Sequence, residues 1–217
     1  MKSNPNSVIV FCAHSDDQIL GVGGTLAKYA KEGKKVTTVI FSYGESTHPF
    51  LQRKVTVEMR VKEAQKADKI IGGSRVIFLG LKENKFFDET DEKDIFNRII
   101  ALIKDLKPSK IFTHNIDDPH PDHRAVTKIV KDVLDEMEYK CDVYSFQIWS
   151  PIKFVERNSP KLIVDISNTF KTKIEALKCF KSQKVSIYTL FPFMFLGILI
   201  NGINNNMKYA EVFYKIR

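Results

Sequence analysis

Two short motifs contain most of the residues in this sequence that could do chemistry. They are His14-Ser15-Asp16-Asp17-Gln18 and His120-Pro121-Asp122-His123. Three of the five histidines therefore lie beside carboxylates at two places in the chain. Imidazole and carboxylate groups are the side chains that most often bind zinc and move protons in hydrolases. Together the motifs indicate a metal-dependent active site.

The spacing within each motif separates metal binding from proton transfer. His14 and Asp17 are three residues apart in a turn, close enough to reach one cation. His123 is the third residue of a helix predicted to begin at Pro121, and the first helical position favours proline. Two histidines and one carboxylate form a common catalytic zinc shell, which leaves one position open for water. The acid–base groups that remain are Asp16, His120 and Asp122.

Each motif has a simpler explanation when it is considered alone. Asp16 and Asp17 could cap the helix that follows them, and His120 could cap the helix that begins at Pro121. A metal site accounts for both motifs at once, so we favour it.

The elements around the motifs alternate between strands and helices. Apolar runs predict strands at residues 8–13, 35–41, 76–79, 110–113, 143–149, 162–166 and 209–216. Helical spacing predicts helices at residues 20–32, 52–71, 91–106, 121–137 and 169–182. This rhythm is typical of an α/β fold that is Rossmann-like and doubly wound, with helices on both faces of a mostly parallel sheet. Neither a linker nor a repeat divides the sequence, so we expect one domain over residues 1–217.

The expected sheet topology brings the two motifs together. In the strand order 3-2-1-4-5, strands one and four are neighbours, and the order of the sheet reverses between them. Ligands of such folds bind outside the carboxyl ends of the strands at that point. The motifs follow strands one and four, so we expect them to face one crevice.

Composition argues against several classes of protein. The hydrophobic fraction of 43% and the charged fraction of 28% are those of an ordinary globular protein. The net charge of +8 comes mostly from scattered lysines, which usually form solvated helix faces, so we expect no nucleic-acid partner. The three cysteines form no C-x-x-C pair, and the amino terminus has no apolar signal segment. These features predict a cytoplasmic protein.

The most apolar window of the sequence lies at residues 190–200. It contains Pro192 and Gly197 and is shorter than the roughly 20 residues that a membrane-spanning helix needs. We expect it to form core or pocket wall, near the site or at a subunit contact, without membrane insertion. A homo-oligomer is compatible with this pattern.

Dinucleotide binding is a competing interpretation, because Gly21-Val22-Gly23-Gly24 follows the first strand and Glu45 could bind a ribose. The G-x-G-x-x-G pattern requires glycine at position 26, where the chain has Leu26. The glycines also follow an acidic turn that would repel a pyrophosphate. We therefore reject dinucleotide binding as the main function.

At these motifs the sequence resembles the LmbE/PIG-L family of zinc-dependent N-acetylglucosaminyl deacetylases. The family pattern A-H-P-D-D-E is similar to residues 13–18, and H-P-D-H is matched in full by residues 120–123. Weaker similarity covers Arg60-x-x-Glu63 with Ala64, Ser182-Gln183, and Ala210-Glu211-x-Phe213. The resemblance therefore extends along nearly the whole chain.

The resemblance implies a role for each matching residue. It assigns His14, Asp17 and His123 to zinc, for which another divalent metal could substitute. It makes Asp16 the general base and gives His120 the role of stabilising or protonating the tetrahedral intermediate. In the same way Asp122 would orient His120, and Arg60 would contact the substrate. The implied substrate is a small N-acetylated amino sugar of the N-acetylglucosamine type, or its conjugate.

Three positions depart from the family pattern. Ser15 replaces a proline, Gln18 replaces a glutamate, and Phe180 stands where relatives often have histidine. These departures bear on rate and substrate more than on reaction type. Two alternatives stay open: another zinc-dependent amidase, for example one acting on a thiol–sugar conjugate, and a non-catalytic sugar- or nucleic-acid-binding module with a degenerate site.

Overall fold

Strands and helices alternate along the chain as the sequence pattern predicts. The computed structural model describes residues 2–45, 50–86, 92–148 and 159–217. The strands are β1 (Asn4–Cys12), β2 (Lys35–Ser42), β3 (Arg75–Leu81), β4 (Pro108–His114), β5 (Asp142–Phe146), β6 (Lys161–Asp165) and β7 (Ala210–Lys215). The helices are α1 (Asp17–Lys31), α2 (Arg53–Ile71), α3 (Glu92–Leu106), α4 (Pro121–Glu136), α5 (Phe170–Leu177) and α6 (Lys184–Asn204). A 3₁₀ turn at Lys181–Gln183 leads into α6.

The strands form one sheet in the order β3-β2-β1-β4-β5-β7-β6. Strand β1 lies between β2 and β4 and is parallel to both. Only β7 among these strands runs against its neighbours, β5 and β6. The predicted α/β fold with a mostly parallel sheet is confirmed, and the carboxyl ends of β1 and β4 are adjacent.

The two faces of β1 enter two separate hydrophobic cores. Val8, Val10 and Cys12 face the core that also receives residues of α1, α2, α5 and α6. Ile9 and Phe11 face the core that is closed by α3 and α4. A strand covered on both faces requires apolar residues at every position, which explains the unbroken apolar run in the sequence.

The glycines that suggested dinucleotide binding are required by close packing. A Cβ atom on Gly21 would lie 2.2 Å from the Phe146 ring, and one on Gly24 would lie 2.7 Å from Ile166. Helix α1 therefore approaches β5 and the end of β6 too closely for a larger residue. This packing accounts for the glycines without a bound cofactor.

Some element boundaries differ from the sequence predictions. Helix α1 begins at Asp17 rather than at residue 20, so the acidic turn forms the start of the helix. The helix predicted for residues 169–182 ends at Leu177 and is followed by the 3₁₀ turn. The predicted strand 143–149 ends at Phe146, and its last position lies outside the described residues.

The apolar window at residues 190–200 belongs to a long helix, which the sequence analysis did not predict. Helix α6 has 21 residues and continues through Pro192. Leu190 and Ile198 are buried, whereas Phe193 and Leu196 are about half exposed, so the expectation of a core segment is correct for one side of the helix only. By length and composition, Lys181–Asn204 is the one segment among the described helices that could cross a membrane.

A buried ion pair connects α1, α5 and β7. Lys173 Nζ lies 2.6 Å from Glu211 Oε1 and also donates to the Leu20 carbonyl at 2.8 Å. Glu211 in turn accepts hydrogen bonds from the backbone N–H groups of Gly24 and Thr25. Both charged side chains are almost fully buried, so each needs the other to compensate its charge.

A partly buried contact connects two of the weaker family-like motifs. The Glu63 carboxylate of α2 accepts hydrogen bonds from the Ser182 N–H at 2.9 Å and the Ser182 hydroxyl at 2.6 Å. The contact holds the 3₁₀ turn, and with it the start of α6, against α2.

Replacing Lys173 by Met should destabilise the protein by about 3–5 kcal/mol, because Glu211 would remain buried without its partner. The free energy of unfolding, measured by chemical denaturation, checks this expectation. Lys171→Met, at an exposed position of the same helix, serves as the control and should change stability by less than about 0.5 kcal/mol. Equal stability of the two variants would contradict the proposed importance of the pair.

Candidate active site

The turn after β1 presents its two carboxylates in different ways. Asp17 Oδ2 accepts a hydrogen bond from the His14 backbone N–H at 2.8 Å, which closes the turn. The Asp16 carbonyl accepts from the N–H groups of Ile19 and Leu20 at the start of α1. The Asp16 side chain makes no capping hydrogen bond. Helix capping therefore does not explain why an aspartate is present at position 16, and its carboxylate is available for proton transfer.

The second motif forms the amino terminus of α4. His120 is the N-cap residue, and its Nδ1 accepts a hydrogen bond from the Asp122 backbone N–H at 3.2 Å. The loop before it is held by Asp118, whose Oδ1 accepts from the His120 N–H at 2.9 Å. Arg124 donates to the Asp118 carbonyl at 2.7 Å. The simpler explanation of His120 as a cap is thus correct, and it leaves the other ring nitrogen available.

The structure brings His14, Asp17 and His123 together. Their ligand atoms form a group that lies within 4.8 Å and could hold a metal ion. His14 Nδ1 lies 3.6 Å from Asp17 Oδ2, and His123 Nε2 lies 3.5 Å from Asp17 Oδ1. Ligand atoms around a tetrahedral zinc, at bond lengths of about 2.0–2.2 Å, are roughly 3.3–3.6 Å apart. The donor types suit zinc, and each histidine nitrogen lies at such a distance from one of the two Asp17 oxygens.

Two further groups of the described residues could hold a metal, namely His14 with His120 and Asp122, and His114 with Asp118 and His123. A catalytic metal needs an open position that faces solvent or substrate. Of these three groups, only the group of His14, Asp17 and His123 has all its members on the wall of one cavity. We therefore regard it as the better candidate for catalysis.

The cavity beside this group has a volume of about 180 Å³. Its lining residues are His14, Asp16, Asp17, Leu20, Arg60, Glu83, His120, His123, Ile148, Gln183, Ser186 and Leu190. Five of the six predicted ligands and acid–base residues, together with Arg60, are among them; Asp122 is not. The lining combines charged groups at the sheet edge with apolar groups from α1 and α6.

The two adjacent carboxylates have opposite tendencies to ionise. Burial and the neighbouring charge of Asp17 raise the pKa of Asp16. Burial would also raise the pKa of Asp17, but the adjacent His123 and His114 hold that pKa well below its usual range. Asp17 is thus the permanent anion, as a metal ligand must be, whereas Asp16 has the greater affinity for a proton.

The histidines differ in the same way. Burial would lower the pKa of His14, but Asp122 and Asp17 raise it to about 10, so the surrounding carboxylates stabilise positive charge at this place. Burial lowers the pKa of His120, and the nearby His123 and His14 add to this shift. His120 is therefore neutral near pH 7. The site suits a cation near His14 and a neutral imidazole at His120.

The positions of Asp122 and Arg60 bear on the roles that the family resemblance implied for them. The Asp122 carboxylate lies 3.4 Å from His14 Nε2 and accepts the Asn84 N–H. It also lies within 4.8 Å of a ring nitrogen of His120, and the Asp122 backbone N–H donates to the His120 ring. Asp122 is thus placed to orient His14. Arg60 lines the cavity but is 1% exposed, and its Nη2 lies 3.8 Å from Asp16 Oδ1. This geometry agrees equally well with two roles for Arg60, namely orienting the Asp16 carboxylate and contacting the substrate.

Two residues next to the candidate ligands were not predicted from the sequence. His114, the last residue of β4, accepts the Ala13 N–H at its Nε2 and stacks on the His123 ring with centroids 3.9 Å apart. Asp118 Oδ1 lies 3.0 Å from His123 Nδ1. The signal for His114 was its position at the carboxyl end of a strand at the reversal point of the sheet.

Comparison with known proteins adds an independent finding. Residues 9–134, more than half of the chain, match the PIG-L family, described as GlcNAc-PI de-N-acetylase. A probable N-acetyl-alpha-D-glucosaminyl L-malate deacetylase 2 of Bacillus cereus is 27% identical over 187 residues, which cover 81% of this chain and 83% of the relative. A 4-oxalmesaconate hydratase of Pseudomonas putida is 25% identical over 203 residues, which cover 85% of this chain and 76% of the relative. The structure of N,N'-diacetylchitobiose deacetylase from Pyrococcus horikoshii superposes with a TM-score of 0.80 at 18% identity, covering 98% of this chain and 84% of that one.

The contact between Asp118 and His123 leads to a prediction about metal affinity. Asp118→Asn should weaken zinc binding by about 10- to 100-fold, because residues that orient a ligating histidine contribute on that scale. The asparagine can still accept the His120 N–H, so the loop should keep its shape. Calorimetric titration with zinc measures the effect, and Asp117→Asn, at the exposed neighbouring position, is the control. Unchanged affinity in Asp118→Asn would show that the contact does not support the metal site.

Proposed function

The chain belongs to the PIG-L family, and on that premise we propose that it hydrolyses the acetamide of a small N-acetylated amino sugar with the help of a bound zinc ion. The family resemblance seen in the two motifs is confirmed, as is the prediction of an enzyme of the deacetylase type. One observation supports the proposal most strongly: a single cavity is lined by a metal-binding group, a carboxylate that makes no helix-capping bond, and a neutral histidine.

We assign His14, Asp17 and His123 as the residues that hold the metal. When bound there, zinc would lower the pKa of a coordinated water towards roughly 7 and polarise the acetyl carbonyl. Asp122 supports the arrangement, because its carboxylate lies 3.4 Å from the His14 Nε2 and can fix the orientation of that ring. His114 supports it from the other side by stacking on His123.

Asp16 is the proposed general base. Its carboxylate lines the cavity beside Asp17, and burial raises its pKa towards the range in which a base works near neutral pH. Arg60, with Nη2 at 3.8 Å, holds one carboxylate oxygen in place and limits the rise in the pKa. Asp16 would accept the proton of the attacking water and then deliver it to the departing amine.

His120 is the proposed donor to the oxyanion. Because its Nδ1 accepts the Asp122 N–H, the neutral ring carries its proton on Nε2. His120 lines the cavity, so the Nε2–H can donate to the negative oxygen that develops on the acetyl carbon. Donors of this kind typically contribute about 10²–10³ in rate.

The rest of the cavity wall favours a small amphiphilic substrate. Leu20, Ile148 and Leu190 provide an apolar surface that suits an acetyl methyl group. Gln183 and Ser186 provide hydrogen-bonding groups suited to sugar hydroxyls, as does the Glu83 carboxylate. The proposed substrate class is therefore an N-acetylglucosamine-type sugar or conjugate.

Hydration of a double bond is a second candidate reaction, since one relative is named a 4-oxalmesaconate hydratase. Its named substrate is an acid with several carboxylates, which a site would bind best with cationic side chains. The described cavity wall instead carries the carboxylates of Asp16, Asp17 and Glu83, with Arg60 beside Asp16. With zinc bound as proposed, these side chains and the metal together carry no net charge, so the described wall offers no excess of positive charge to a polyanion.

Acetate release from a panel of N-acetylated sugars, by protein of known metal content, tests the proposed reaction. We expect turnover that is lost on chelation and restored by zinc. Loss of ultraviolet absorbance from an unsaturated polycarboxylate, without acetate release from any sugar, would favour the hydratase reaction.

The general-base assignment predicts a specific defect in Asp16→Asn. The variant should bind zinc and substrate normally while kcat falls by about 10²–10⁴-fold, because the amide cannot accept a proton. Asp132→Asn, at a half-exposed carboxylate on α4, is the matched control and should retain full activity. Loss of zinc from Asp16→Asn would show that Asp16 is a ligand, and near-normal turnover would exclude it as the base.

A further inference from the structure

One side of α6 consists of exposed apolar residues. Val185, Tyr188 and Ile203 are 80%, 72% and 66% exposed. With 100° of rotation per residue, the exposed residues fall within a sector of roughly 140°. This stripe, which we call the outer face, is Val185, Tyr188, Phe193, Leu196, Ile200 and Ile203. Monomeric proteins rarely leave so many large apolar residues together in water, so the outer face marks an interaction surface.

The opposite side of α6 is fixed to the fold. Ile187, Leu190 and Ile198 are buried in the core beneath α6. A Cβ atom on Gly202 would lie 2.8 Å from the carbonyl oxygens of Met207 and Lys208. The end of the helix therefore packs closely on the segment that leads to β7. Crossing a membrane would expose this core. A membrane could therefore contact α6 only along its side.

An apolar groove with a basic edge adjoins the outer face. The groove has a volume of about 470 Å³, and its apolar walls come from α5, the 3₁₀ turn and the first half of α6. Its apolar lining residues are Ile174, Leu177, Phe180, Ile187, Tyr188 and Phe191. Lys178, Lys181 and Lys184 also line it, and all three are exposed.

Charge is distributed unevenly along this surface. Residues 185–207 contain no charged side chain. The exposed charged residues that flank them between positions 166 and 208 are Lys171, Glu175, Lys178, Lys181, Lys184 and Lys208. The surface is thus an uncharged apolar stripe with lysines at both ends. Such a surface is complementary to a partner that has an apolar layer bordered by anionic groups.

We propose that the outer face binds the surface of a lipid bilayer that contains anionic phospholipid, with the axis of α6 parallel to the bilayer plane. Apolar side chains of such a helix enter the boundary between headgroups and acyl chains, while lysines contact phosphate groups. The groove accepts part of one acyl chain, and Lys178, Lys181 and Lys184 bind its headgroup. This inference goes beyond the proposed reaction and does not depend on it.

A second copy of the chain fits the outer face less well. Two α6 helices packed antiparallel about a twofold axis would place the three lysines of one copy near residues 203–208 of the other. That end contains asparagines and Lys208 but no acidic residue. The cationic ends would therefore lack partners, whereas an anionic bilayer supplies them along the whole surface.

Vesicle co-sedimentation of the full chain tests the proposal. We expect binding to vesicles made of equal parts phosphatidylglycerol and phosphatidylcholine, weaker binding as salt increases, and little binding to phosphatidylcholine alone. The triple variant Lys178→Glu, Lys181→Glu, Lys184→Glu should bind the anionic vesicles on the order of 100-fold more weakly, since each lysine near such a surface contributes roughly fivefold.

Matched controls separate this surface from general charge and hydrophobicity. The control variant carries Lys93→Glu, Lys104→Glu and Lys140→Glu, which change the net charge equally at exposed positions away from α6. Its loss of affinity for anionic vesicles, on a logarithmic scale, should be less than about a third of the loss in the first triple variant. Leu196→Asp, Ile203→Asp should abolish binding, whereas Ile70→Asp, Ile163→Asp should preserve it. Circular dichroism confirms that each variant is folded.

Three outcomes would overturn the proposal. The first is equal affinity of the wild-type chain for anionic and neutral vesicles, or no affinity for either. The second is equal weakening by the two triple-lysine variants. The third is an oligomer in analytical ultracentrifugation that Leu196→Asp, Ile203→Asp dissociates while the wild-type chain ignores vesicles, which would assign the outer face to self-association.

Discussion

Asp17 is a buried carboxylate, and the rest of the site is arranged to compensate its charge. It accepts the His14 N–H, and its Oδ1 lies 3.5 Å from His123 Nε2. The His114 ring packs beside its Oδ2 at 3.3 Å, with Nε2 accepting the Ala13 N–H. An uncompensated charge at this depth would cost several kcal/mol. These partners come from three places in the sequence, so the charge of Asp17 is satisfied only when β1, β4 and α4 are correctly assembled.

The sheet makes this assembly possible. Parallel pairing of β1 with β4 places the end of one strand beside the end of the other, and the Ala13 N–H bond to His114 Nε2 joins them at 3.0 Å. Asp118 and Arg124 then hold the loop from which α4 starts. The ion pair of Lys173 and Glu211 joins α1, whose Leu20 lines the cavity, to α5 and β7. Packing and chemistry thus depend on the same contacts.

The sequence was most informative where local patterns and strand order decide the structure. Periodicity predicts the alternating elements, and the strand order of such folds predicts that the residues around His14 and His120 meet. Asp118 could not be predicted, because its role depends on a loop conformation that brings it to His123. The direction of the Asp122 side chain, towards His14, depends likewise on tertiary packing.

Helix α6 was missed for another physical reason. It is apolar on nearly every side, so it has no periodic contrast, and Pro192 suggested an interruption that the folded helix tolerates. The buried amide of Gln18 is a similar case: neither of its polar atoms has a hydrogen-bond partner in the part of the chain that the structure describes. Sequence shows that Gln18 departs from the family pattern, but only packing shows that it is fully buried.

In the proposed site, one metal is held by His14, Asp17 and His123 while Asp16 stays free beside it. Anomalous X-ray diffraction from crystals of the zinc-loaded protein tests it most directly. We expect one strong peak per chain, at about 2.0–2.2 Å from a nitrogen of each histidine and an oxygen of Asp17, with the Asp16 carboxylate outside bonding distance. A peak among His114, Asp118 and His123, or one bonded to Asp16, would contradict it.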